Sequence, residues 1–152
     1  MNQYADIVVF DKNGQLALIA QVKSKRGTSR DWAAKMRGNM YAHGLLPHAP
    51  FFLLALPDRF YLWKNTGKTL ESVPPTHEID PMVFLKPYYD SSGILPTSIT
   101  GKSFELIIVS WLNQILMAEN QQSLQNTDQD WLVSSGLFSR LTGGHLELET
   151  AA

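Results

Sequence analysis

The sequence predicts an α/β fold, a mixed central β-sheet flanked by helices, and three observations predict it. Two β-branched and aliphatic runs, residues 4–11 and 15–23, are joined by Asn13-Gly14, the strongest short-range signal for a hairpin. A capped helical segment follows over about 29–43. Beyond it lie two more apolar runs, 50–56 and 60–64, separated by the turn Pro57-Asp58-Arg59. The order is therefore β-β-α-β-β. With 152 residues and 44% hydrophobic content, the chain has the size and the apolar material of one domain, 1–152.

Each element has a local reason. In the first two runs, apolar residues occupy both alternating faces, as in a strand buried on both sides. Thr28 or Ser29 can cap the helix by accepting a backbone N–H of its first turn, and Gly44 supplies the left-handed stop after His43. Trp32, Met36, Asn39 or Met40, and His43 share one helical face. PFFLLAL, 50–56, is apolar throughout and reads as a central strand. The aromatic strip Phe60, Tyr61 and Trp63 reads as sheet packing. After Thr66, the Pro-, Gly- and Ser-rich stretches 72–81 and 86–102 read as long surface connections. A second helix is predicted from Ser103 to about Asn120, apolar on more than one face, followed by a polar loop, a short helix over about 131–141 and a loose tail. The region 103–152 is thus expected to be a helical extension.

Composition narrows the function classes. Lys and Arg total 13 against 14 Asp and Glu, so net charge identifies no partner. The distribution is uneven. From Lys12 to Arg37 there are seven basic residues against one acid, Asp31, whereas from Lys102 onward two bases face six acids. Cysteine is absent, which removes disulfides, thiolate chemistry and cysteine-bound zinc. No basic stretch followed by an apolar run opens the chain, so no signal peptide is expected. The longest apolar segment, 106–117, is broken by Ser110, Asn113 and Gln114 and falls short of the roughly 20 residues of a membrane span. A cytoplasmic protein with no membrane partner is the expectation. The four histidines, His43, His48, His77 and His145, have no metal-ligand spacing; His43 reads as a helix-end residue. Phosphate-binding glycine loops, G-x-S-x-G elbows and H-E-x-x-H pairs are absent from the sequence.

The polar residues inside the first hairpin carry the functional signal. A two-residue turn at Asn13-Gly14 sets Lys12 opposite Gln15, and Asp6 then lands opposite Gln21. Alternation puts Asp6, Val8 and Phe10 on one face with Ala17, Ile19, Gln21 and Lys23. A carboxylate, an amide and an ammonium at the end of an apolar sheet lose solvation and need partners. A salt bridge closing the sheet end is one answer. A divalent cation is the other: Asp6, the Gln21 side-chain oxygen and the Val22 carbonyl are hard ligands of the kind Mg2+ takes. Lys23 beside them would orient a water or neutralise charge on a phosphate.

This arrangement resembles the PD-(D/E)xK nuclease superfamily, the restriction endonuclease-like fold. Asp6 matches the first acid, and Gln21-Val22-Lys23 matches the (D/E)xK triplet with Gln in place of the acid, the 14 residues between them forming the hairpin. The resemblance covers about 4–65. Ala5 stands where the family has Pro, and for the helix that family members carry ahead of the first strand either the helix from Ser103 takes its place, with Glu105 as the candidate replacement acid, or the core is cut down. The resemblance implies a restriction endonuclease-like core and a nuclease cutting DNA or RNA with Mg2+ or Mn2+. In that reading Asp6, Gln21 and Lys23 are catalytic, and Asp6, Gln21 and Val22 hold the metal. Lys25, Arg26, Arg30, Lys35 and Arg37 flank the site and are the expected phosphate contacts, which position nucleic acid without reading its sequence. The alternative expectation is a non-cleaving domain of the same fold that binds nucleic acid or protein or oligomerises. The Ser103–Asn120 helix or the C-terminal segment would form a homodimer.

Overall fold

The computed structural model describes residues 5–44, 46–64, 73–120 and 127–148. Tyr4, residues 66–72, most of the polar loop after Asn120 and Glu149 lie outside the described residues. A six-stranded sheet of order β5-β4-β3-β2-β1-β6 forms the centre. Its strands are β1 Ile7–Phe10, β2 Leu16–Val22, β3 Phe51–Ala55, β4 Phe60–Lys64, β5 His77–Ile79 and β6 His145–Leu148. Among the described residues the β2–β3 pair is parallel and the others are antiparallel, so the sheet is mixed. The parallel pair needs a crossover, which α1, Arg30–Ala42, provides. All five residues of β3 are buried, as its unbroken apolar run predicts.

α1 packs on one face of the sheet, where Val8, Ile19, Phe52, Leu54 and Trp63 meet Ala33 and Tyr41. The helices α2 (Met82–Ser92), α3 (Gly101–Met117), α4 (Asp130–Ser134) and α5 (Leu137–Leu141) cover the other face with Ile7, Leu18, Leu53 and Phe60. Ser29 caps α1 in extended conformation, its side chain accepting the Trp32 N–H at 3.1 Å. Gly44, at φ 66°, follows the helix as expected. Phe60, Tyr61 and Trp63 are fully buried in the sheet, as read. No helix among the described residues is long and apolar enough to cross a membrane.

Three expectations need correction. The stretch read as long surface connections contains β5 and α2. α2 forms despite Pro87 in its interior, a residue that costs a helix about 3 kcal/mol. Burial of Phe84, Leu85 and Tyr89 on the sheet offsets that cost, and Asp80 Oδ1 accepts the Met82 N–H at 3.1 Å to start the helix. The single short helix over 131–141 is two, divided at Gly136 with φ 87°. The expected loose tail contains β6, which pairs with the free edge of β1 and makes residues 145–148 part of the central sheet. Gly144 admits it: a Cβ there would sit 2.0 Å from the Phe10 carbonyl oxygen.

Candidate active site at the end of the first hairpin

The hairpin closes differently from the two-residue turn expected, yet its far end is in the expected register. Asp11 pairs with Gln15 around the three residues Lys12, Asn13 and Gly14: the Asp11 N–H donates to the Gln15 carbonyl at 2.7 Å, and Gly14 sits at φ 80°. Asp11 Oδ1 accepts the N–H groups of Asn13 and Gln15, both at 2.9 Å. The longer loop sets Phe10 opposite Leu16. A β-bulge at Ala17 then adds one residue to β2, and Val9, Val8 and Ile7 face Leu18, Ile19 and Ala20 as the sequence reading required. Loop and bulge cancel. The bulge also moves Ala17 to the α3 side of the sheet, opposite to its expected face.

At the restored end, Asp6 and Gln21 meet. The Asp6 N–H donates to Gln21 Oε1 at 2.6 Å, and the Val22 N–H donates to Asp6 Oδ2 at 2.7 Å. Gln21 is buried, 4% exposed, and its Nε2 lies 3.9 Å from Met40 Sδ on α1. Asp6 is half-buried and Lys23 exposed. The Lys23 N–H donates to the Ala55 carbonyl at 3.1 Å, extending the β2–β3 ladder. Asp6 and Gln21 therefore meet at the carboxyl end of β2, with exposed Lys23 two residues beyond Gln21 in the chain, on the side where open α/β sheets bind ligands.

Glu105 is not brought there. It lies on α3, which packs against the face opposite to α1 and the Gln21 side chain. Among the described residues no group of three or more His, Cys, Asp and Glu could hold a metal.

The basic residues divide. Lys25 is exposed, its Nζ 5.7 Å from the centre of the Trp32 ring, and Lys35 is exposed on α1. Arg26 donates to the Pro96 carbonyl. Arg30 lies 3.7 Å from Glu78, which also faces Arg59 at 3.6 Å. Arg37 must be corrected: it is 1% exposed and belongs to the buried face of α1 with Ala33, Ala34 and Tyr41. Its guanidinium stands 4.7 Å from the Tyr41 ring centre and 5.7 Å from that of Trp63. Desolvation lowers its pKa, partly offset by Tyr41. It packs α1 onto the sheet and is not on an accessible phosphate-binding face.

A groove of about 350 Å3 runs along α1, lined by Trp32, Lys35, Met36, Asn39, Met40 and His43. Through Met40 it adjoins Gln21. Its signal was in the sequence as the shared helical face of Trp32, Met36, Met40 and His43; that this face flanks the core instead of filling it depends on Ala33 and Tyr41 taking the sheet side. His43 ends α1 as expected, its Nδ1 2.7 Å from the Asn39 carbonyl oxygen.

Compared with known proteins, the chain matches no family model, no curated protein and no solved structure.

Proposed function

We propose that this chain is a restriction endonuclease-like phosphodiesterase that hydrolyses nucleic acid, DNA by the resemblance, with Mg2+ or Mn2+. The observation that carries the reading is the contact between Asp6 and Gln21 at the carboxyl end of β2, two residues before Lys23 and its basic loop. The donors are of the right chemistry, hard oxygens from an acid and an amide. Each already accepts one backbone N–H, but a carboxylate oxygen and an amide oxygen both retain acceptor capacity. Asp6 and Gln21 would hold the ion with the Val22 carbonyl, and a neutral amide in place of an acid would make that site weaker than a pair of carboxylates. Bound there, such an ion would supply Lewis acidity and a water of lowered pKa. Lys23 would neutralise charge on the phosphate and orient the attacking water.

The α1 groove is the path we assign to the substrate. Lys25 and Lys35 meet phosphates there, and Trp32 offers an aromatic face beside them. The paired substitution Lys25→Glu and Lys35→Glu should weaken binding of a fluorescent oligonucleotide in an anisotropy titration. Each lysine removed should reduce the slope of log K against log salt by about 1. Unchanged affinity and slope would remove the groove from the account.

A second reading, a non-cleaving nucleic-acid-binding domain of the same fold, is favoured by one observation: Gln21 Oε1 and Asp6 Oδ2 are both engaged by backbone N–H groups. Both readings predict salt-dependent binding. Only the first predicts that labelled DNA or RNA is cut on addition of Mn2+ and left whole with a chelator.

A further inference from the structure

The outer face of α3 carries a surface unrelated to the hairpin site. Its inner residues, Phe104, Ile108, Trp111, Leu112 and Ile115, are buried on the sheet. Its outer stripe, Lys102, Leu106, Ser110, Asn113 and Met117, is exposed along the whole helix. Leu106 is 60% exposed and Met117 80%. Leu106 and Met117 are thus two of the five exposed large hydrophobics of the described residues. Beside Leu106 opens a cleft of about 310 Å3 between α2 and α3, walled by Tyr88, Ile94 and Ile107 and rimmed by serines.

The stripe is complementary to itself. An apolar cleft stands at its amino end, an exposed flexible thioether at its carboxyl end, and small uncharged polar groups, Ser110 and Asn113, in between. A twofold axis between Ser110 and Asn113 sets two copies of α3 antiparallel. Met117 of each copy then reaches the cleft beside Leu106 of the other, and Ser110 faces Asn113. The same operation sets exposed Lys102 toward the carboxyl end of the partner's α3, and exposed Glu119, two residues past Met117, carries the opposite charge at that end. Such a pairing is isologous and closed, each contact occurring twice. We infer that the outer face of α3 is the interface of an antiparallel homodimer, with a second copy of this chain as its occupant and Met117 as the anchor that enters the partner's cleft.

Sedimentation of the full chain from micromolar to millimolar concentration should show a species of twice 17.1 kDa. Met117→Glu and Leu106→Glu, at exposed positions, should each weaken association by about tenfold or more while leaving the melting curve of the monomer unchanged. The chain lacks cysteine, which makes orientation testable: Leu106→Cys mixed with Met117→Cys should give a covalent heterodimer under oxidation, and neither variant alone should cross-link to itself. A monomer across the whole range, a dimer indifferent to both glutamates, or self-cross-linking at position 106 would overturn the inference, as would assembly that appears only when another protein or nucleic acid is added.

Discussion

Asp6→Asn is expected to reduce Mn2+-dependent cleavage by on the order of 100-fold or more while the fold stays intact. The substitution removes the negative charge but keeps a side-chain oxygen to accept the Val22 N–H, the bond that Asp6 Oδ2 makes at 2.7 Å. Loss of charge and loss of structure are thus separated. Asp6→Ala removes both, and the orphaned Val22 N–H should cost a further 1–3 kcal/mol, roughly the desolvation of an unpaired donor. Single-turnover cleavage of an end-labelled duplex, alongside thermal melts of the three proteins, reads both effects. Equal rates for the wild type and Asp6→Asn would remove Asp6 from the chemistry.

Trp111→Ala should be the most damaging single change to stability, about 3–5 kcal/mol. Trp111 is 1% exposed and sits among Phe60, Phe84 and Trp131, with ring centres 5.3, 5.4 and 6.0 Å away. Its indole N–H donates to Gln129 Oε1 at 2.8 Å. Truncation opens a cavity where α2, α3 and α4 converge on β4. At this chain length the loss corresponds to a fall of roughly 6–20 °C in Tm. Trp111→Phe keeps most of the volume and should cost clearly less. A loss under about 1 kcal/mol for the alanine variant would mean that α3 is not seated as described.

How much of this was legible in the sequence depends on how local each signal is. The meeting of Asp6 and Gln21 was legible although the turn was misread. With apolar residues packed on both faces, a one-residue slip would turn every side chain over, so the bulge at Ala17 restores what the three-residue loop displaced. The burial of Arg37 was legible in principle: it lies four residues from both Ala33 and Tyr41, and a charged residue on that face is either buried with aromatic partners or absent. α2 was not legible, because Pro87 and the neighbouring serines outweigh the spacing of Phe84, Leu85 and Tyr89 until the sheet is there to bury them. β6 was equally hidden. Four residues are too few to signal a strand, and what makes them one is the edge of β1, far away in the chain.

The central claim is that Asp6 and Gln21 together grip a divalent ion, and the most direct measurement is the shift in melting temperature on adding Mn2+ to three proteins: the wild type, Asp6→Asn and Gln21→Glu. A small stabilisation of the wild type is predicted, none for Asp6→Asn, and a larger one for Gln21→Glu, whose second carboxylate destabilises the metal-free protein by repulsion and binds the ion more tightly. Contradiction would be three melting curves indifferent to Mn2+, or a shift in Asp6→Asn as large as that in the wild type.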